Sequence, residues 1–263
     1  MDLLTYPFFQ NALIGVAIIS VAAAVIGAYI MSRRMVFISG GITHACFGGL
    51  GLGYFLGVSP MLMAALFAVG GSLGVDWLSR RRVRKDSAIA VVWALGMAFG
   101  VLFIFLTPGS VPELNSFLFG NVLTITGGDL WMFGAYTVAL LIFYAIFYKE
   151  IVAISFDQDF SRTAGLPVTA LNMVMTVFVA LAIVLTIRMV GIMLLMSLVS
   201  LPQMTAELLT RRYSRLMLLS SLISLVGCVG GLFVAYFISV PASATIVLIL
   251  ITLYVITSIF RPK

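Results

Sequence analysis

The chain has 263 residues, of which 62% are hydrophobic and 9% are charged, and its net charge is +6. An average soluble domain carries about 25% charged residues, so this composition excludes a water-soluble enzyme and predicts an all-α protein that crosses a membrane several times. The basic residues stand in short clusters between apolar stretches and form no basic face, which excludes nucleic acid as a partner.

Apolar stretches long enough to span a bilayer, about 20 residues each, recur along the whole chain. Nine meet that length: roughly 8–31, 37–57, 60–79, 87–107, 129–149, 169–187, 190–209, 214–237 and 241–260. We predict a single transmembrane domain over residues 1–263 with eight or nine transmembrane helices, the number depending on whether the stretches at 190–209 and 241–260 are broken or re-entrant. The Pro- and Gly-rich segment 107–128 is predicted to be a short interfacial helix.

The positions of Lys and Arg predict the orientation, because cytoplasmic loops are enriched in them. If nine helices are counted from an outside N-terminus, every Lys and Arg except Arg188 lies on the cytoplasmic side. We therefore predict an outside N-terminus and a cytoplasmic C-terminus.

Glycines recur every fourth residue in two of the apolar stretches. Gly49, Gly53 and Gly57 follow this spacing, and so do Gly227 and Gly231. Small residues on one helix stripe let backbones approach closely, so the spacing predicts tight helix packing or a dimer interface.

His44 is the single histidine and falls in the second apolar stretch. Helical spacing puts Gly40, Gly41, Gly48 and Gly51 on its face, which leaves room for a substrate beside the imidazole. An ionisable group in a membrane segment suggests function, and imidazole is a common ligand of transition metals. The alternative is a structural histidine that forms a hydrogen bond to a neighbouring helix.

A polar stripe marks the seventh stretch, where Ser197, Ser200, Gln203 and Glu207 share one helix face. Pro202 lies among them and cannot donate a backbone hydrogen bond. Two interpretations stay open: a polar flank of a translocation path, or interhelical hydrogen bonds with Glu207 reaching toward the cytoplasm.

The longest cytoplasmic loop, about 150–168, is predicted to contain a short amphipathic helix. Asp157 and Asp159 would lie at its positive N-terminal end, and Gly165 with Pro167 would end it. No G-x-x-x-x-G-K-[S/T] sequence occurs anywhere in the chain, so any ATP hydrolysis by that route needs a separate polypeptide.

Five motifs in order resemble one family over nearly the whole chain. They are Arg33-Arg34-Met35 followed by Ile38 to Ala45, Leu118 to Leu123 with Asp129-Leu130, Phe156 to Pro167, Val190-Gly191-Ile192 through Leu201-Pro202 and Thr205-Ala206, and Val240-Pro241 with Ala242 to Val247. Together they are similar to the permease subunit of the zinc/manganese/iron ABC importers, the metal branch of the type II importers.

The resemblance implies a type II ABC importer permease in the bacterial cytoplasmic (inner) membrane. Its function would be to form the path of an ATP-driven importer for zinc, manganese or iron ions. The chain would bind no cofactor, and ATP would be bound by two separate ABC ATPase subunits. Its other partners would be an outside metal-binding receptor and a second permease copy, with a homodimer expected and a heterodimer as the alternative.

The resemblance also implies the site. The family has an Asp and a His four residues apart in its second helix as metal contacts. His44 matches the His, whereas Gly40 stands in place of the Asp, so the charge that would offset desolvation of a cation is missing. Waters, Thr43, Gln203 or Cys46 would then complete a weak site.

We accordingly expect His44 to bind the metal transiently, and we expect the path to be lined by Gly40, Thr43, Gly48, Ser197, Ser200 and Gln203. The helix in the cytoplasmic loop would be the coupling helix that enters the ATPase, with Asp157, Asp159, Arg162 and Gly165 as its contact residues.

Two other functions stay open at this point. A type II permease for a chelated metal, such as a siderophore or haem, would explain the missing Asp. A secondary transporter that works without ATP should carry acidic residues within its membrane segments, and this chain has few.

Overall fold

The structure is a computed structural model that describes residues 5–81, 83–108, 120 and 122–260. Within these ranges the chain forms helices and no strands. The helices are α1 (Pro7–Ser32), α2 (Val36–Leu56), α3 (Pro60–Arg80), α4 (Lys85–Leu106), α5 (Gly127–Ile146), α6 (Tyr148–Phe156), α7 (Gln158–Thr163), α8 (Val168–Leu209), α9 (Tyr213–Ile238) and α10 (Ala242–Ile259). All except α6 and α7 are long and apolar enough to cross a membrane, which makes eight in the described part of the chain and confirms the polytopic all-α prediction.

The two apolar stretches predicted at 169–187 and 190–209 lie in one helix, α8, of 42 residues. At 1.5 Å per residue such a helix is about 63 Å long, roughly twice the thickness of the hydrocarbon core. Gly191 interrupts it with φ 80° and ψ 172°. The count is therefore eight if α8 is taken as one helix and nine if its halves are counted separately. The orientation of the termini stays a prediction.

The outcome differs between the segments predicted at 107–128 and at 150–168. Most of the interfacial helix predicted over 107–128 lies outside the described residues; in its described part, Val122–Thr124 forms a 3₁₀ turn and α5 begins at Gly127. The loop predicted over 150–168 begins inside a helix, because α6 continues the chain as far as Phe156. The non-helical stretch is therefore shorter than expected.

The helices group into two compact units. The first unit comprises Met1–Arg34, Asn115–Ala164 and Thr186–Lys263, and the second comprises Met35–Leu114 and Gly165–Leu185, as far as these ranges are described. In the second unit, α2, α3 and α4 pack against one another. In the first unit, α1 packs on α5 and α9, and α9 packs on α10.

Glycines bring these helices together, as their spacing predicts. A Cβ atom on Gly49 of α2 would lie 2.8 Å from the Cα of Ala64 in α3, and a Cβ on Gly51 would lie 2.7 Å from the carbonyl oxygen of Gly100 in α4. Both distances are shorter than the contacts that Cβ atoms make in proteins. These helices therefore lie this close together only because glycine has no Cβ atom.

Gly231 and Gly230 in α9 provide a matched test of this packing. A Cβ on Gly231 would lie 2.7 Å from the Cα of Ile246 in α10, whereas the nearest atom to a Cβ on Gly230 is the Cδ1 of Ile249 at 4.0 Å. We expect Gly231→Ala to lower the free energy of unfolding by about 1–3 kcal/mol, because α10 must move away.

The control, Gly230→Ala, should be neutral or slightly stabilising. Thermal unfolding of the purified variants in detergent measures both effects. Equal stability of the two variants would show that the α9–α10 contact does not depend on the absence of a side chain at Gly231.

Candidate functional site

His44 is half-buried in α2 and is held by two side chains of α4. Its Nδ1 atom lies 3.1 Å from the Sδ of Met97, and its ring stacks on Trp93 with centroids 4.2 Å apart and planes at 17°. A thioether accepts hydrogen bonds and cannot donate them, so the Nδ1–H of His44 is the donor. In the neutral imidazole, this arrangement leaves the lone pair that can bind a metal ion on Nε2.

The glycine face around His44 is covered by α4. A Cβ on Gly41 would lie 2.7 Å from a methyl group of Ile89, and a Cβ on Gly48 would lie 2.9 Å from the carbonyl oxygen of Gly96. The expectation of open room on this face is therefore wrong at these glycines. The reason is that α4 carries glycines of its own, which let it approach α2 backbone to backbone.

Two further residues of the predicted path lie beside His44 in sequence. Gly40 and Thr43 are both buried, and the hydroxyl of Thr43 donates to the carbonyl oxygen of Ser39 at 2.6 Å. That bond lies within α2, so the Thr43 hydroxyl keeps lone pairs but directs its proton to its own helix. Its role in the path, like those of Gly40 and Gly48, stays a prediction.

The polar stripe of α8 divides into two kinds of residue. Ser197 and Ser200 are half-buried, and each donates to the carbonyl oxygen four residues earlier in α8. Gln203 is fully buried instead, and its Nε2 donates to the carbonyl oxygen of Ala23 in α1 at 2.9 Å. Its amide occupies the space that a side chain at Gly27 would fill. Of the two interpretations of this polar stripe, the contact of Gln203 agrees with the interhelical hydrogen bond.

The amide oxygen of Gln203 has no hydrogen-bond partner among the described residues. A buried polar atom without a hydrogen-bond partner costs about 1–3 kcal/mol, so this oxygen weakens the contact between α1 and α8. In the described part of the chain, no group of three His, Cys, Asp or Glu side chains comes close enough to hold a metal ion.

An ion pair that the sequence analysis missed joins Arg188 to Asp129. The Nε of Arg188 lies 2.7 Å from one carboxylate oxygen of Asp129, and the other oxygen accepts from the backbone and hydroxyl of Thr126 at 3.1 Å and 2.7 Å. Thr126 and Asp129 have the spacing of a capping box, a pattern that can be recognised in the sequence. The partner lies in α8, three residues before the break at Gly191, and no local pattern reveals it.

The helix predicted in the loop at about 150–168 is present as α7. Asp157 caps it by accepting a hydrogen bond from the backbone N–H of Phe160 at 2.9 Å. Asp159 and Arg162 form an exposed ion pair with 3.6 Å between charged atoms. Gly165, with φ 79°, follows the helix end in the left-handed region that favours glycine.

Two aromatic residues were missed: Phe156, the last residue of α6, and Phe160, within α7. Phe156 and Phe160 are 70% and 68% exposed, although phenylalanine is usually buried. Their spacing of four residues within a polar segment was the available signal. Two exposed rings, one in the capped helix and one just before it, form a surface that a partner protein can cover.

With this geometry established, comparison with known proteins identifies the family. The model of the ABC 3 transport family matches residues 5–261. The chain belongs to the ABC 3 transport family.

Relatives and a solved structure match this ABC 3 family member over almost its full length. An uncharacterised membrane protein, slr2045 of Synechocystis, is 37% identical over 98% of this chain and 92% of its own. The manganese transport system membrane protein MntC of Listeria innocua is 31% identical over 99% of this chain and 93% of its own. PsaBC from Streptococcus pneumoniae, solved in complex with a Fab, matches with a TM-score of 0.87 and 27% identity over 99% of this chain and 94% of that chain. The family resemblance and the type II permease architecture are thereby confirmed.

The cap on α7 predicts different effects for its two aspartates. Asp157→Ala removes the acceptor for the Phe160 N–H and should destabilise α7 by about 1 kcal/mol, which speeds exchange of that amide about fivefold. Hydrogen exchange measured by mass spectrometry on peptides covering α7 reports the change.

Asp159→Ala is the control, because it removes an equal charge from the same exposed turn without removing the cap. Its effect on exchange of the Phe160 amide should be small, since exposed ion pairs contribute little. If both variants exchange at the wild-type rate, the cap does not stabilise α7.

Proposed function

We propose that this ABC 3 family member is the membrane permease subunit of an ATP-driven importer for a divalent transition-metal ion, with Mn²⁺ as the first cargo to test. The observation that carries the proposal is the full-length match to MntC, a protein named for manganese transport. The agreement with the PsaBC fold supports it. Zn²⁺ and iron remain cargoes for comparison.

We assign His44 as the transient metal ligand of the path, with Nε2 as the donor atom. The Met97 and Trp93 contacts support this, because they orient the imidazole ring and favour a proton on Nδ1, which leaves Nε2 available to a metal ion. Gly40 leaves the site without a carboxylate, so binding is weak. Weak binding suits conduction, since an ion that is held too tightly does not leave.

The remaining proposed path residues differ in how deeply they are buried. Ser197 and Ser200 are half-buried and offer hydroxyl oxygens to a passing ion. Thr43 and Gln203 are buried, so each would reach the path only after a movement of its helix. Such movements are expected of a transporter that opens alternately to the two sides of the membrane.

ATP would be hydrolysed by two separate ATPase subunits, because this chain lacks a phosphate-binding loop. We place their contact at α7, where Asp157, Asp159, Arg162 and Gly165 define the turn and Phe160 is exposed. A metal-binding receptor would deliver the ion from outside, and a second permease copy would complete the path.

Loss of the imidazole should slow metal entry. We expect His44→Ala to lower ⁵⁴Mn²⁺ uptake by the reconstituted permease–ATPase complex about tenfold or more, because the path loses its nitrogen ligand. Met97→Leu keeps the imidazole and removes the acceptor of its Nδ1 proton, so uptake should fall less.

Ser72→Ala is the matched control, since Ser72 is buried in α3 and bonds only its own helix among the contacts described. Uptake with this variant should equal wild type. Equal uptake by wild type and His44→Ala would remove His44 from the mechanism and favour the structural histidine.

Charge reversal on α7 should separate ATP hydrolysis from transport. The double variant Asp157→Lys, Asp159→Lys should still insert in the membrane but lose metal uptake, because the cap and the negative charges of α7 are both gone. Metal uptake and ATPase activity are measured on the same reconstituted complex.

Asp86→Lys is the charge control, because Asp86 is exposed in the first turn of α4 and away from α7 in sequence. Normal transport by the double variant would show that α7 is not the coupling helix.

A further inference from the structure

An apolar groove runs between α3 and α4, and the proposed transport function does not use it. Its volume is about 650 Å³. Leu66, Gly70, Gly74 and Trp77 line it from α3, and Leu95 and Phe99 line it from α4. None of its lining residues is charged.

Two glycines of α3 leave space open along the groove. A Cβ placed on Gly70 or Gly74 would have no atom within 4 Å. The glycines of α2 differ, because α3 and α4 cover them at contact distance. In a membrane, an uncovered apolar groove is filled by lipid chains or by another helix.

One end of the groove carries positive charge. The groove reaches Trp77, and the guanidinium carbon of Arg81 lies 4.5 Å from the centre of the Trp77 ring. The sequence from Arg80 to Lys85 contains five basic residues, against the two carboxylates of Asp76 and Asp86 nearby in sequence. Of these carboxylates, Asp76 accepts a hydrogen bond from the hydroxyl of Thr176 at 3.4 Å.

A tryptophan with adjacent cations is the usual composition of a membrane–water interface. Basic clusters directly beside a transmembrane helix attract anionic headgroups, with about 1 kcal/mol for each Lys or Arg near the surface. The apolar groove suits an acyl chain, and the exposed cation Arg81, beside Trp77 at its end, suits a phosphate.

We propose that the groove between α3 and α4 binds an anionic phospholipid, with an acyl chain along Gly70 and Gly74 and the phosphate at Arg81. A second copy of the chain fits the charges less well. Copies related by a twofold axis along the membrane normal would bring two basic clusters together at one end of the groove. The proposal does not depend on the metal path.

The test uses the full-length chain reconstituted in vesicles of phosphatidylcholine and phosphatidylglycerol in equal parts. The protein is re-extracted in detergent, and the lipids that stay bound are quantified by mass spectrometry. We expect wild type to retain phosphatidylglycerol in preference to phosphatidylcholine. Arg81→Gln should lower the retained phosphatidylglycerol about fivefold, the factor that corresponds to about 1 kcal/mol.

Filling the groove should displace the lipid whatever its headgroup. Gly74→Leu places a side chain in the space of the acyl chain and should abolish retention. Gly134→Leu is the control, because Gly134 in α5 is equally open, with no atom within 4 Å of its Cβ position. Arg215→Gln is the charge control, since Arg215 is exposed at the start of α9.

Three outcomes would overturn the proposal. The first is equal retention of the two lipids by wild type, and the second is unchanged retention in both Arg81→Gln and Gly74→Leu. The third is a fall in oligomeric mass with Gly74→Leu while Arg81→Gln retains lipid as wild type does, which would make the groove an interface between copies. Arg81 is exposed, so its variant should fold and be measurable even if Gly74→Leu does not. Metal uptake is not part of the measurement, so failure here leaves the proposed function intact.

Discussion

The contact between α2 and α4 is made by backbone atoms, and the arrangement around His44 depends on it. A Cβ on Gly96 would lie 2.6 Å from the Cα of Ala45, so α4 reaches the main chain of α2 only because Gly96 has no side chain. Lipid tails are as apolar as leucine, so helices in a bilayer associate by close van der Waals packing and by hydrogen bonds. Trp93 and Met97 flank Gly96 in α4, and the close approach brings both onto the imidazole. The geometry of the one histidine is thus set by a glycine on another helix.

Two long-range polar interactions in the first unit involve α8. Gln203 ties the second half of α8 to α1, and Arg188 ties the last turn before Gly191 to the capped start of α5. Both bonds lie on α8, one on each side of the break. Where surrounding water is scarce, a polar group that loses its partner is costly, so each bond opposes separation of its two helices. A polar interaction therefore holds the broken helix on each side of Gly191.

The sequence predicted the elements because their signals are local. Apolar stretches of bilayer length mark each long helix, and Asp157 and Gly165 mark both ends of α7. Glycines four residues apart likewise indicated the helix faces that pack closely. These patterns depend on a few neighbouring residues, whose spacing directly fixes which side chains share a face.

The contacts between helices could not be predicted in this way, because they depend on which helices are neighbours. Nothing in the α2 sequence indicates that Trp93 and Met97 lie beside His44, or that α4 closes the glycine face where we expected room. Arg188 and Asp129 are far apart in sequence, and the pairing of Gln203 with Ala23 is equally distant. The site was therefore predicted as a set of residue types on single helices, whereas its geometry is a property of helix pairs.

The break at Gly191 has a consequence for the match between this protein and its lipid. It divides α8 into parts of about 35 Å and 27 Å at 1.5 Å per residue, and each is close to the thickness of the hydrocarbon core. An unbroken helix of the full length would have to tilt steeply or distort the bilayer. A φ of 80° with a ψ of 172° is a conformation taken almost only by glycine. Hydrophobic mismatch along this segment is thus avoided by the one residue type that has no side chain.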